Sequence, residues 1–590
     1  MQHVDYIVLL VYLLGVLAVG VVLAARNTSS AEMFATGGQS PWWVAGLSGF
    51  MTMFSAGTFV VWGGIAYKHG MVAIAINVCY GVAAILVGWT IAGRWKSSGI
   101  RTPAEFVELR FGAAALHFYT WAIMSFKIVG TAVALYSLCV LMVAMMPLAE
   151  GTPLRDGSTG NLSLNAAILI LGGMVVAYTM IGGLWGVLMT DVLQFIVLNL
   201  AVMFVVPLAL ADVGGVGRFL TLAPEGFMTA TGGGYSWAFL CGWVAIHYFV
   251  IGAEWAFVQR YLCVPSPRDA RKGAYLFGLL YLISPLLWLL PPLIQRVRVP
   301  IPEGATEEVV AALAESAYID VCRAVLPAGM IGLMMAAMFS ATASMVSSQL
   351  NVFAGVLTND IFRPWLRNQQ DERLLVWAGR GFTVLLGVAI VSTALAVPAL
   401  GGAESVIVPA TSLMVGPLLA PLLFGLVSKR LPASAVWVTA AACCSCVILV
   451  KLVLLRYDLE HSALGAIAQW THAHPKTTDI VLGAILPVCA VLICLLVAKG
   501  TSPGWDRLTA LPPTLGDLAK SDASRAPAKI VAWSLVGCGT LMAGIALRTQ
   551  EGRLLLTSFA ILLWGIAGVV FVCAGRTPAT DKRELTNADA

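Results

Sequence analysis

Long apolar runs, each parted from the next by a short polar or glycine-bearing segment, set the pattern of this chain. A run of about 20 apolar residues is long enough to cross a bilayer as a helix. Fifteen such spans are read here, approximately at 4–24, 43–65, 72–92, 117–147, 165–183, 187–210, 236–258, 273–294, 326–355, 377–398, 405–427, 433–455, 480–498, 529–547 and 553–574. The fifth and sixth are parted by little more than Gly182–Gly183. The longest loops run from about 295 to 325, 456 to 478 and 499 to 528, and none has room for a separate enzyme domain. The run near the N-terminus follows a leader without Lys or Arg and exceeds the apolar core of a signal peptide, so it is read as a retained helix.

Small residues interrupt two of these spans. Span two carries Phe54–Ser55–Ala56–Gly57–Thr58 and then Gly63–Gly64, and span seven carries Ile251–Gly252–Ala253–Glu254. Unwound backbone inside a membrane is tolerated where it lines a cavity or is buried in protein, and small residues also serve close helix packing. Two interrupted helices five spans apart point to inverted five-helix repeats with a site between them. The expected division is 1–42 as an extra helix and linker, 43–211 and 212–429 as the two repeats, and 430–590 as accessory helices with a tail.

Composition agrees with a membrane protein: 59% of the 590 residues are hydrophobic and 11% charged, against about a quarter charged in soluble domains. Basic residues concentrate in alternate loops, among them Arg94, Lys96, Arg101 and Arg110, then Arg260, Arg268, Arg271 and Lys272. By the positive-inside rule the N-terminus is expected outside and the C-terminus in the cytoplasm of a multi-pass protein of the cell membrane. The net charge of +5 then reflects topology, and no nucleic-acid partner is implied. No phosphate loop, nucleophile elbow or metal triad suggests an enzyme, and no cofactor is expected.

Against this background a few polar residues stand out. Asp191, in Thr190–Asp191–Val192–Leu193–Gln194, sits near membrane depth, where a carboxylate is costly and marks an ion or substrate pathway. Ser340, Ser344, Ser347 and Ser348 recur at i, i+4, i+7 and i+8, on one helix face. Such hydroxyls can ligate a hard cation, or bond back to their own helix. Lys127, deep in span four, is either a functional group or half of a salt bridge with Glu254 or Asp191. His247 is either a satisfied core histidine or a substrate contact.

The chain also resembles the sodium:solute symporters, the family of the sodium/glucose, sodium/proline and sodium/sialic acid carriers. The resemblance covers about residues 4–430 and rests on Ser40–Pro41–Trp42–Trp43 with Ser55–Ala56–Gly57–Thr58, on Thr102–Pro103–Ala104–Glu105–Phe106–Val107–Glu108–Leu109–Arg110–Phe111–Gly112, on the run from Gly182 to Gln194, on Gln259–Arg260–Tyr261, and on Asn351 through Asp360–Ile361. It implies an all-α membrane protein of LeuT-type inverted repeats, ten core helices with one extra helix before them and about four after. It further implies sodium ions as coupling ions and a main sodium site at Met51, Phe54, Ala341 and Ser344. Met345 stands where the family usually adds a second hydroxyl, so that site departs from the pattern. A second sodium site maps onto Asp191, Ser344, Ser347 and Ser348. Where sugar carriers have an Asn and a Lys, this chain has His247 and Leu282, so sugar is not the expected substrate. Ser55, Thr58, Lys127, His247 and Glu254 are candidates for substrate contact or gating, and a basic Lys127–His247 pair would suit a small polar solute of anionic character. The expectation is sodium-coupled symport across the lipid bilayer by alternating access, the alternatives being a proton-coupled carrier and a membrane solute sensor.

Overall fold

A computed structural model describes residues 3–23, 29–327, 329–366, 370–400, 416–454, 465–511, 526–548 and 553–575. Residues 405–415, the start of the eleventh expected span, lie outside the described residues. The chain divides into two compact units, Met1–Lys520 and Ser521–Ala590.

The larger unit is helical throughout its core. Its helices are α1 (His3–Leu23), α2 (Trp42–Thr52), α3 (Gly63–His69), α4 (Met71–Val87), α5 (Pro103–Phe111), α6 (Ala113–Ala144), α7 (Leu164–Val213), α8 (Trp237–Ala253), α9 (Trp255–Leu262), α10 (Pro267–Ile283), α11 (Pro285–Arg298), α12 (Glu307–Val325) and α13 (Met330–Val356). Further helices follow, among them Glu372–Ala396, Ser434–Ile448 and Leu486–Val497. Local sequence sets several starts. Thr102 and Ser266 each accept a backbone N–H three residues on, and each is followed by a proline at the first helical position, which suits a site whose N–H has no helical partner.

Among the described residues eight helices are long and apolar enough to cross a membrane, nine with one bent pair counted as a span. Part of the difference from fifteen lies in residues outside those described, as in span eleven, and part has physical reasons. Span two is cut by its break into α2 and α3, both too short to be counted alone. Spans five and six form one 50-residue helix, α7, turned at Gly183, where φ is 57° and ψ −157°. Only glycine adopts that conformation freely, so the two spans part where Gly182–Gly183 suggested. A second difference lies in the segment read as a long loop from 295. Residues 307–325 form α12, which packs Ala314 and Ala317 on Tyr67 of α3.

Both expected helix breaks occur. The first falls at Met53–Ser55, between α2 and a wide π turn, Thr58–Trp62, that leads into α3. Its N–H groups are met by hydroxyls: Thr342 Oγ1 accepts from Ala56 at 2.8 Å, and Ser55 Oγ from Gly57 at 3.2 Å. The second falls at Glu254, extended at φ −65° and ψ 133°, with a 55° bend between α8 and α9. The carbonyls it frees are also met, that of Gly252 by Trp95 Nε1 at 2.7 Å and that of Ile251 by the Tyr261 hydroxyl at 3.0 Å. Satisfied backbone at both breaks is the condition for unwinding inside an apolar body.

α13 runs through the middle, buried along nearly its whole length. α1 braces it: Asp5 Oδ1 accepts from Gly329 and Gly332 at 2.7 and 2.9 Å, at the positive end of the helix, and the Tyr12 hydroxyl bonds Ser340. α1 also crosses α7 beside its turn. A Cβ added to Gly182 would meet Gly20 Cα at 3.2 Å, the close approach that small residues permit. The smaller unit contains the helices Ala526–Arg548 and Arg553–Gly575, with Trp533 against Phe571 and Trp564 Nε1 donating to the Val536 carbonyl.

Candidate ion site between the broken helices

Asp191 lies on α7 eight residues past its glycine turn and is fully buried. One carboxylate oxygen, Oδ2, accepts from the Ser48 hydroxyl of α2 and stands 3.8 Å from Arg260 Nη2 on α9. Arg260 is itself 2% exposed. Its Nε donates to Ser48 Oγ at 3.1 Å, Nη1 to the Ala256 carbonyl at 3.1 Å and to Gln259 Oε1 at 2.9 Å, and Nη2 to Ser348 Oγ at 2.5 Å. The charge of Asp191 is therefore balanced by a residue 69 positions away in sequence, and not by Lys127. A buried charge is tolerated when it is paired and hydrogen-bonded, and Arg260, expected from sequence as a basic loop residue, lies buried within α9.

The other carboxylate oxygen, Asp191 Oδ1, is buried without a hydrogen-bond partner, and so is Ser344 Oγ. The hydroxyl of Ser344 faces Asp191. A buried carboxylate oxygen with a hydroxyl facing it is a pair in which the carboxylate attracts a cation and the hydroxyl can either donate to the carboxylate or turn a lone pair to that cation. Ser347 Oγ donates to the Ser344 carbonyl at 3.1 Å and keeps both lone pairs. Ser348 is more heavily used. Thr52 gives its proton to the Ser48 carbonyl at 2.7 Å, so in the 3.2 Å Thr52–Ser348 contact it is Ser348 that donates. With Arg260 as donor to it, one lone pair of Ser348 remains.

The residues named for the main sodium site flank the first break. Met51 lies in the last turn of α2 and Phe54 within the break, both buried, with the Phe54 N–H on the Met51 carbonyl at 3.0 Å. The Thr342–Ala56 bond holds α13 against that break, which places Ala341 and Ser344 on the segment facing it. Thr342 was not singled out from sequence. Met345 is half-buried between buried neighbours.

Of the substrate or gating candidates, Ser55 and Thr58 bond backbone within the restarting turn, Ser55 Oγ from Gly57 N and Thr58 Oγ1 from Ser55 N at 3.4 Å. Lys127 on α6 pairs with Glu254 at 2.6 Å, and Gln349 Nε2 of α13 donates to the same carboxylate oxygen at 2.9 Å. Of the two partners left open for Lys127, the structure selects Glu254, at the second break. His247 is buried with Nδ1 2.9 Å from the Trp243 carbonyl. A carbonyl only accepts, so Nδ1 carries the proton. The ring packs on Tyr80 and Trp243, with centroids 4.1 and 4.6 Å away, inside an aromatic layer that continues through Tyr281, Phe50 and Trp288.

Two helices broken at matching points, with a buried carboxylate and hydroxyls gathered between them and α13, define the class of discontinuous-helix, ion-coupled carriers. The chain belongs to the sodium:solute symporter family, whose sequence model matches residues 33–439. It is 26% identical to the sodium/sialic acid symporter NanT of Aliivibrio fischeri over 396 residues, 65% of this chain and 74% of that protein. It is 28% identical to the sodium/glucose cotransporter of Vibrio parahaemolyticus over 467 residues, 73% of this chain and 82% of that one. A match to rat solute carrier family 5 member 4, at 26%, spans 62% of that protein's length. Among solved structures, a Na⁺-coupled sialic acid symporter in its substrate-bound outward-open state superposes with a TM-score of 0.67 at 21% identity, over 84% of this chain and 99% of that one. That likeness establishes the shared fold.

Proposed function

We propose that the protein is a secondary active transporter that couples the inward movement of a small polar solute to sodium. The observation that carries the ion site is the pair of buried, unpartnered oxygens, Asp191 Oδ1 and Ser344 Oγ. Neither oxygen has a hydrogen-bond partner outside this pair, and a hard monovalent cation takes both as ligands. Asp191, Ser344, Ser347 and Ser348 hold this ion, and Met51, Phe54, Ala341 and Ser344 a second one at the first break. Both sites draw on α13 and on a broken helix or its neighbour, so filling them favours one arrangement of the repeats over the other. A membrane potential of 100 mV supplies about 2.3 kcal/mol per charge, and a tenfold sodium gradient about 1.4 more. Two ions therefore supply about 7 kcal/mol, a solute gradient on the order of 10⁵.

The solute site lies in the aromatic layer around Tyr80, Trp243 and His247, beside the second break. Lys127 does not supply free positive charge there, because Glu254 neutralises it at 2.6 Å. A neutral or zwitterionic polar solute suits this environment better than a simple anion. The N-terminus is placed outside and the C-terminus in the cytoplasm of the cell membrane.

The test is the melting temperature of the purified protein in sodium, potassium and choline chloride at matched ionic strength. Binding to the native state alone raises stability by mass action. A sodium-specific rise supports the reading. Equal melting in all three salts, with uptake into vesicles following an imposed proton gradient, overturns it in favour of proton coupling.

A further inference from the structure

Beside the four residues assigned to the Asp191 site lies another buried side chain without a well-formed hydrogen bond, one of several among the described residues. Gln194 lies three positions after Asp191, on the same face of α7, and is fully buried with neither amide atom in a well-formed hydrogen bond, the Tyr178 hydroxyl being a polar group beside it. A buried amide without a well-formed hydrogen bond calls for an explanation. Its surroundings narrow the explanation. The Tyr178 hydroxyl, also on α7, lies beside the side chains of Ser347, Asp191 and Gln194, and gives its own proton to the Ala343 carbonyl of α13 at 3.1 Å. Tyr178 can therefore only accept from Gln194. Three unpartnered groups, Asp191 Oδ1, Ser344 Oγ and the Gln194 amide, thus collect around Tyr178 and Ser347.

We propose that Gln194 is a ligand of the ion held by Asp191 and Ser344, giving Oε1 to the cation while its Nε2 donates to the Tyr178 oxygen. The assignment rests on the sodium reading above and adds a residue and a chemical role to it. Each group around the ion then has a partner. The cation takes Asp191 Oδ1, Ser344 Oγ and Gln194 Oε1, the amide nitrogen takes Tyr178, and Tyr178 takes Ala343. An amide oxygen adds a ligand of the kind hard cations take without adding charge, while Asp191 offers Oδ1 to the ion with Oδ2 turned to Ser48 and Arg260. It also cannot titrate near neutral pH, which separates this position from a proton relay. Tyr178 acts through Gln194 and is a positioning residue.

The experiment titrates sodium chloride into the full-length purified protein at constant ionic strength with potassium chloride, reading the melting temperature, for wild type, Gln194→Leu and Gln194→Asn. Leu fills the space without the oxygen, and Asn keeps the amide but withdraws it by one methylene. The expected result is a sodium midpoint raised about tenfold or more in Gln194→Leu, the loss of roughly one good ligand, with melting in potassium alone unchanged or higher because an unmet amide has gone. Gln194→Asn is expected to fall between. Tyr178→Phe is expected to raise the sodium midpoint while leaving the order of the two Gln194 variants intact. A wild-type sodium midpoint in Gln194→Leu overturns the assignment and leaves the sodium reading standing. So does a drop in melting temperature that is equal in both salts with the midpoint unmoved, the mark of a purely structural amide. Should Gln194→Leu fail to fold, Gln194→Asn decides alone, an unmoved midpoint again overturning the assignment. No sodium response in the wild type overturns both.

Discussion

Asparagine at position 191 keeps the shape of the side chain and removes its charge, and the structure states what that leaves behind. Arg260, 2% exposed, loses the carboxylate 3.8 Å from its Nη2. At that distance and an effective dielectric of about 20 the attraction is about 4 kcal/mol, within the range of roughly 3–5 kcal/mol seen when one partner of a buried pair is deleted. The guanidinium keeps neutral acceptors in the Ala256 carbonyl, Gln259 Oε1 and Ser348 Oγ, so the loss is one of charge balance more than of hydrogen bonds. In potassium chloride, with no sodium present, Asp191→Asn is expected to lose about 4 kcal/mol, close to a thousandfold in the folded-to-unfolded ratio. Adding Arg260→Gln removes the stranded charge and is expected to recover a large part of it. Both variants are expected to lose the sodium-specific stabilisation. Equilibrium denaturant unfolding of the three proteins in potassium chloride measures the first effect, and a sodium titration the second. An Asp191→Asn protein that unfolds at the wild-type midpoint, or a double variant no more stable than the single, refutes the coupling of Asp191 to Arg260.

Three further outcomes are expected. Lys127→Met strands Glu254 with only the Gln349 amide and is expected to cost about 3 kcal/mol in denaturant unfolding, whereas Lys127→Met with Glu254→Gln is more stable than the single change; additive losses contradict the pairing. Gly183→Ala forces a Cβ into φ 57°, ψ −157° and is expected to cost about 1–3 kcal/mol and to weaken sodium binding by tilting the half of α7 that bears Asp191, both read from melting curves with and without sodium. Met345→Ser restores a hydroxyl after Ser344 and is expected to tighten apparent sodium affinity or raise the sodium-to-solute ratio in vesicle uptake; no change in either places Met345 away from a filled site.

Hydrophobic pattern alone determined that this chain is a bundle of membrane helices, because run length against bilayer thickness is a one-dimensional property. Glycines and small residues announced both breaks and the turn in α7, since backbone conformation at φ 57° is a local demand that only certain residues meet. Asp191 and the serine face were legible for the same reason: cost at membrane depth and helical spacing are both read along the chain. What only the tertiary structure decided is which groups meet. Arg260 reads as one basic residue of a short motif until the 55° bend at Glu254 carries α9 across to α7. Lys127 could pair with either of two acids until α6 is set beside the second break. Thr342 and Gln194 carry no cost signal as neutral residues in apolar helices, and become informative through their neighbours: Thr342 by meeting the Ala56 N–H, Gln194 by its amide being buried without a well-formed hydrogen bond. Pairing and its absence are properties of three-dimensional neighbours, and the distances that set their energies exist only once the helices are packed.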